Sequence, residues 1–135
     1  MSLSRLLIAA ALSGSFLGAH AADGKIGVEL NKLDQTADGC GLHMVVSNPT
    51  DKVFKDYTLD LVIFDQKGVI ARSVVLDVSP VRAMKTSVYG FNVKGLACDQ
   101  FGKILVNDVK GCGAATDDCT ANVSLSSQSN VPLVR

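Results

Sequence analysis

Cys98 and Cys112 stand on either side of the run "KILVNDV", residues 103–109, and this spacing constrains the fold more than any other feature of the chain. Seven extended residues cover about 23 Å at roughly 3.3 Å each, whereas the Cα atoms of bridged cysteines lie within about 7 Å of one another. The two cysteines therefore cannot bond to each other. With Cys40 and Cys119 the chain has four cysteines, and the three possible pairings fall to two. Strand direction decides between these, and hydrophobic periodicity supplies it.

Apolar residues recur at every second position in short runs separated by turn residues, the pattern of half-buried strands. "KIGVELNKL" alternates Ile26, Val28 and Leu30. "GLHMVVSN" alternates Leu42, Met44 and Val46 and stops at Asn48-Pro49, since proline cannot donate to a ladder. "YTLDLVIFD" places Tyr57, Leu59, Leu61 and Ile63 on one face. Asp65-Gln66-Lys67-Gly68 then reads as a turn into "VIARSVVLDV", an antiparallel hairpin. After "SPVRAMK" come "TSVYGFNV" (86–93), the loop "KGLACDQFG", the run 103–109, and "TANVSLSSQ", with Ala121, Val123 and Leu125 facing one way. Seven short strands, with a single glutamate, Glu29, among thirteen acidic residues and no alanine-rich helical stretch beyond the N-terminus, predict an all-β fold. The expected form is a two-sheet immunoglobulin-like sandwich of about seven strands.

Counted up and down through those strands, Cys40 precedes the second and Cys98 the sixth, so both fall at one end of the sandwich. Cys112 ends the sixth strand and Cys119 begins the seventh, at the other end. The expected disulfides are Cys40–Cys98 and Cys112–Cys119. Other roles for these thiols fit poorly. The intervals leave 57, 13 and 6 intervening residues, so there is no C-x-x-C redox motif and no closely spaced pair for a zinc site.

The N-terminus supports oxidation of these thiols. "MSLSRLLIAAALSGSFLGAHA" has one basic residue, Arg5, an apolar run from Leu6 to Ala19, and the small-residue site Ala19-His20-Ala21. That order predicts a signal peptide over residues 1–21, cleaved after Ala21, and one domain over residues 22–135 in the periplasm or outside the cell. The lone arginine favours the general export route over the twin-arginine route. Loss of residues 1–21 leaves 12 basic against 13 acidic side chains, a balance with no strong attraction for nucleic acid or anionic lipid, and no stable membrane insertion is expected after cleavage.

Few residues suggest chemistry. His43 is the only histidine beyond residue 21, and no G-x-S-x-G elbow accompanies it, so no catalytic residue is assigned. His43, Met44 and Met84 invite a copper site, but adjacent strand residues point to opposite faces, and the methionines are expected in the core. "DQTADG" and "ATDDC" lack the spacing of a calcium loop, which leaves Asp117 and Asp118, beside Cys119, as candidate binding residues together with His43. No metal site and no cofactor is assigned. "NVS" at Asn122 matches a glycosylation sequon, while "NPT" at Asn48 is excluded by its proline.

Three pieces, "VVSNPTDKVFKDYTLDLVIFDQKGVIARSV", "KGLACDQFGKILVNDV" and the closing "DDCTANVSLSSQSNVPL", resemble a group of small exported proteobacterial proteins known chiefly by their secretion signal, often a twin-arginine type. The V-x-N strand end and the "IFDQKG" hairpin are similar to immunoglobulin-like modules of bacterial envelopes. The resemblance implies a sandwich fold and carries over no catalytic residues. The expected function is that of a non-enzymatic exported protein, an interaction or assembly module whose partner is an unknown protein or envelope component. The alternative is a binder of a small ligand or metal ion through His43 or the Asp117–Asp118 loop.

Overall fold

The computed structural model describes residues 24–114 and 116–135; the proposed signal segment lies outside the described residues. The strands in chain order are β1 (Ile26–Gln35), β2 (Gly39–Asn48), β3 (Thr58–Phe64), β4 (Ile70–Asp77), β5 (Lys85–Lys94), β6 (Lys103–Lys110), β7 (Val123–Ser127) and β8 (Leu133–Val134). They form two four-stranded sheets, β5-β2-β1-β7 and β4-β3-β6-β8, and the protein is an all-β two-sheet sandwich.

The period-2 pattern explains why these strands form. Val28 and Leu30 on β1, Leu42, Met44 and Val46 on β2, Leu59, Leu61 and Ile63 on β3 and Ile104 and Val106 on β6 are all buried, as is Val109 beyond a bulge at Asn107. They belong to one cluster between the sheets. Tyr57, just before β3, is also buried and packs its ring 5.7 Å from that of Phe54. Each buried aliphatic side chain contributes about 1.5–3 kcal/mol relative to exposure, so the alternating rows supply the main driving force.

The expected β3–β4 hairpin forms as the turn residues dictate. The Asp65 carboxylate accepts from the amides of Lys67 and Val69, both at 2.9 Å, and Gly68 takes φ +79°, a conformation a side chain would strain. Both disulfides join the pairs expected from strand direction. Cys40–Cys98 has its Cα atoms 4.9 Å apart, and Cys112–Cys119 has them 5.5 Å apart. Cys40 opens β2 opposite Val93, while Cys112 follows the far end of β6, so the two bonds close opposite ends of the sandwich. Two structural disulfides are a feature of proteins in an oxidising environment.

The structure differs from sequence expectation at several points. An eighth strand, Leu133–Val134, runs parallel to β6 and buries Leu133 with the preceding Val131. Ala121 is not in β7; it lies exposed in a short 3-10 turn, Cys119–Asn122, in which the Thr120 amide donates to the Asp118 carboxylate. Met44 is a core residue as expected, but Met84 is 73 % exposed and adopts a positive φ of 52° in the turn before β5.

Candidate interaction surface

The connections divide unequally between the two ends. At the Cys40 end, β1 and β2 are joined by residues 36–38, β3 and β4 by 65–69, β5 and β6 by 95–102, and β7 and β8 by 128–132. At the Cys112 end lie residues 49–57 between β2 and β3, 78–84 between β4 and β5, and the connection from β6 to β7. This second group is fastened from within.

Asn48, at the end of β2, is 2 % exposed and uses both ends of its amide. Its Nδ2 donates to the carbonyls of Lys52 at 2.8 Å and Arg82 at 3.0 Å. Its Oδ1 accepts from the Thr50 amide at 3.0 Å and the Thr50 hydroxyl at 2.7 Å. A buried polar group must be paired in this way, and here the pairing ties two loops together. Phe54 and Val81 exchange backbone hydrogen bonds of 2.9 Å in each direction, and the Met84 amide donates to the Thr50 carbonyl at 2.9 Å. The antiparallel relation of β2 and β5 thus continues beyond the sheet into a two-segment tip that carries Val53, 56 % exposed, and Met84.

The β6–β7 connection is held against this tip. Gly111 has φ +95°, and a Cβ there would collide with the Asp56 carbonyl, so only glycine brings the two backbones this close. A groove of about 560 Å³ runs between residues 52–56 and 111–113. It adjoins one of about 460 Å³ bounded by residues 108–111, Gly113, Ala114, Asp117 and Cys119. A smaller depression of about 200 Å³ shares Lys52, Phe54 and Cys112 with the first.

The candidate binding residues are placed apart. Asp117 lines the second groove, and its carboxylate accepts from the Ala114 amide at 2.9 Å. Asp118 caps the 3-10 turn, accepting from the amide of Thr120 at 3.1 Å and from its hydroxyl; these bonds hold its carboxyl below the usual carboxylate range. Both carboxylates are occupied in shaping their loop.

His43 lies elsewhere, on the outer face of the β5-β2-β1-β7 sheet, opposite in direction to Leu42 and Met44. Its Nε2 is 2.8 Å from Asp34 Oδ2, and Lys32 Nζ is 2.8 Å from Asp34 Oδ1. Hydrogen bonding from Lys32, then the Lys32 charge and His43, hold the Asp34 carboxyl low. A bulge at Asn31 creates this group, because the register of β1 shifts between Leu30 and Lys32 and sets Lys32 opposite His43. The three side chains are half-exposed, where ion pairs contribute little to stability.

Among the described residues no three His, Cys, Asp or Glu side chains converge in a way that could hold a metal ion. His43, Met44 and Met84 are separated as well: Met44 points into the core and Met84 stands at the tip. No helix of the described residues is long and apolar enough to cross a membrane. The Val53–Met84 tip and the Asn48 network were missed in the sequence, although the "NPT" that follows β2 is the local signal for a tight side-chain-capped turn. Comparison with protein-family models, with curated proteins and with solved structures returns no match.

Proposed function

We propose that this chain is a non-enzymatic exported protein that works in the periplasm, or outside the cell, as a macromolecular interaction or assembly module. The carrying observation is the Cys112 end of the sandwich. Three connections gather there, fixed by Asn48 and the Cys112–Cys119 bond; Val53 lines the first of the adjoining grooves, and Met84 borders a separate depression beside Asn48 and Pro49. Rigid loops on a stapled scaffold bind with little ordering cost, and exposed apolar side chains at their tips supply area. Binding through loops at one end of a sandwich is the habit of immunoglobulin-like modules, a comparison that rests on architecture alone. We read the strand order as immunoglobulin-like on the same footing. The partner is an envelope protein or other envelope component, and a cleaved signal over residues 1–21 accounts for export.

A second reading has one observation in its favour. Asp117 and Asp108 both border the 460 Å³ groove, which is large enough for a small polar ligand. Capture experiments from periplasmic extract, with and without chelator, separate the two readings. The interaction reading expects a stable macromolecular partner that survives chelation; stoichiometric metal or small-ligand content lost on chelation, with no partner retained, overturns it.

A further inference from the structure

The outward faces of the two sheets differ in chemistry. On β5-β2-β1-β7 the face carries Thr86, Ser47, Glu29, Ser126 and His43, with Val45 and Val88 as its apolar residues, the polar character expected of a sheet turned to water. On β4-β3-β6-β8 three outward rows run across the strands. The first sets Ile70 beside Phe64 and Lys103, the second Ser73 beside Val62, Leu105 and Val134, and the third Val75 beside Asp60 and Asp108. They lie on the side away from the buried Leu61, Ile63 and Ile104. Ile70 and Val75 are 61 % and 69 % exposed, and Lys103 Nζ stands 4.8 Å from the centre of the Phe64 ring. The charges of this face are unmatched within one chain. Asp60 and Asp108 sit side by side; Lys110 reaches Asp108 only at 3.9 Å, and Asp60 has no ion pair among the described residues. Lys103 is four strand residues further along, about 13 Å away, and lies across the sheet over Phe64 instead.

We propose that this face packs on the same face of a second copy of the chain, about a two-fold axis lying along the Ser73–Val62–Leu105–Val134 row. Charge complementarity selects both the occupant and its orientation. Rotation about that axis reverses strand direction, so the first row of each copy covers the third row of the other. Lys103 of each copy then meets the Asp60–Asp108 pair of the other, and Ile70 covers Val75, which joins the two most exposed apolar side chains of the face. An axis along the strands would lay the Asp60–Asp108 row on itself, which repulsion of like charges opposes. The net charge near zero adds no general repulsion. Faces packed in this way hold their sheets about 10 Å apart, as in a sandwich core. The interface is isologous and closes at two copies. Three rows on four strands span only about 13 Å by about 14 Å, short of the roughly 800 Å² per partner of a standard interface, so the dimer is weak, with Kd on the order of micromolar. The inference does not depend on the partner proposed for the loop end.

Sedimentation equilibrium of the oxidised protein over a wide concentration range tests the idea without any variant. The weight-average mass is expected to climb from one chain toward two and stop there. Charge exchange then tests the orientation. Lys103→Asp and Asp60→Lys, each alone, are expected to weaken association at least tenfold, because each sets like charges across the two-fold. Mixed in equal amounts, the two variants are expected to recover association, since each supplies the charge the other lacks. Val88→Lys, on the outward face of the other sheet, is expected to leave association unchanged. A parent protein that stays monomeric or grows past two chains, a Lys103→Asp protein that associates as tightly as the parent, or a mixture that stays monomeric overturns the proposal.

Discussion

At the scale of single residues, Tyr57 offers the clearest test of how the core is built. Its hydroxyl is buried and, among the described residues, finds no hydrogen-bond partner, and burial pushes the phenol up to about 12. The folded state therefore holds the proton more tightly than the unfolded chain, whose phenol titrates near 10. The stability this confers is complete below about pH 10 and falls as pH rises toward 12, because the unfolded state loses its proton first. Tyr57→Phe is expected to match or exceed the parent by up to about 1 kcal/mol at neutral pH, since an unpaired buried hydroxyl is removed. Denaturation from pH 9 to 12 should also show a shallower alkaline decline in the variant. A loss of more than about 1 kcal/mol at neutral pH would mean that the hydroxyl has a partner. Tyr57 was legible in the sequence as a core residue, because it keeps step with Leu59, Leu61 and Ile63. The unmet hydroxyl was not, because pairing depends on neighbours brought in from other strands.

At the scale of elements, periodicity revealed the strands that bury one face and said little about their edges. "VIARSVVLDV" is as apolar as an interior strand, yet β4 is an edge with Leu76 as its only buried residue, and nothing in its composition distinguishes the two positions. Strand β8 has two residues, too few for any alternation to register. The His43–Asp34 contact was hidden for a related reason, since it needs the register shift at Asn31. The disulfides were legible because a strand is a ruler: the length of β6 excluded one pairing and alternation of direction excluded another. Their separations, 58 and 7 in sequence, make their contributions unequal. Chain entropy assigns about 4 kcal/mol to Cys40–Cys98 and about 2.5 kcal/mol to Cys112–Cys119. Chemical denaturation of the two double serine variants should place the Cys40→Ser/Cys98→Ser protein as the less stable of the two. The reverse order would mean that native packing, rather than the constraint on the unfolded chain, governs these bonds.

At the scale of the whole molecule, the sandwich separates stability from presentation. The sheets and the Cys40–Cys98 bond hold the core, while the connections at the Cys112 end carry Val53 and Met84; the opposite end also exposes an apolar residue, Val69 in the β3–β4 turn. The sequence marked Asp117 and Asp118 there but missed Val53 and Met84, since exposure of an apolar residue is a property of the finished surface. Met84 combines 73 % exposure with a positive φ, an uncommon backbone conformation for a residue with a side chain. The most direct measurement replaces Val53, Met84 or Val88 in turn with a photoreactive amino acid and irradiates the protein in its native cells. The interaction account predicts a discrete adduct to the same macromolecule from positions 53 and 84 and none to it from position 88. No adduct from either tip position, or the same adduct from position 88, would contradict it.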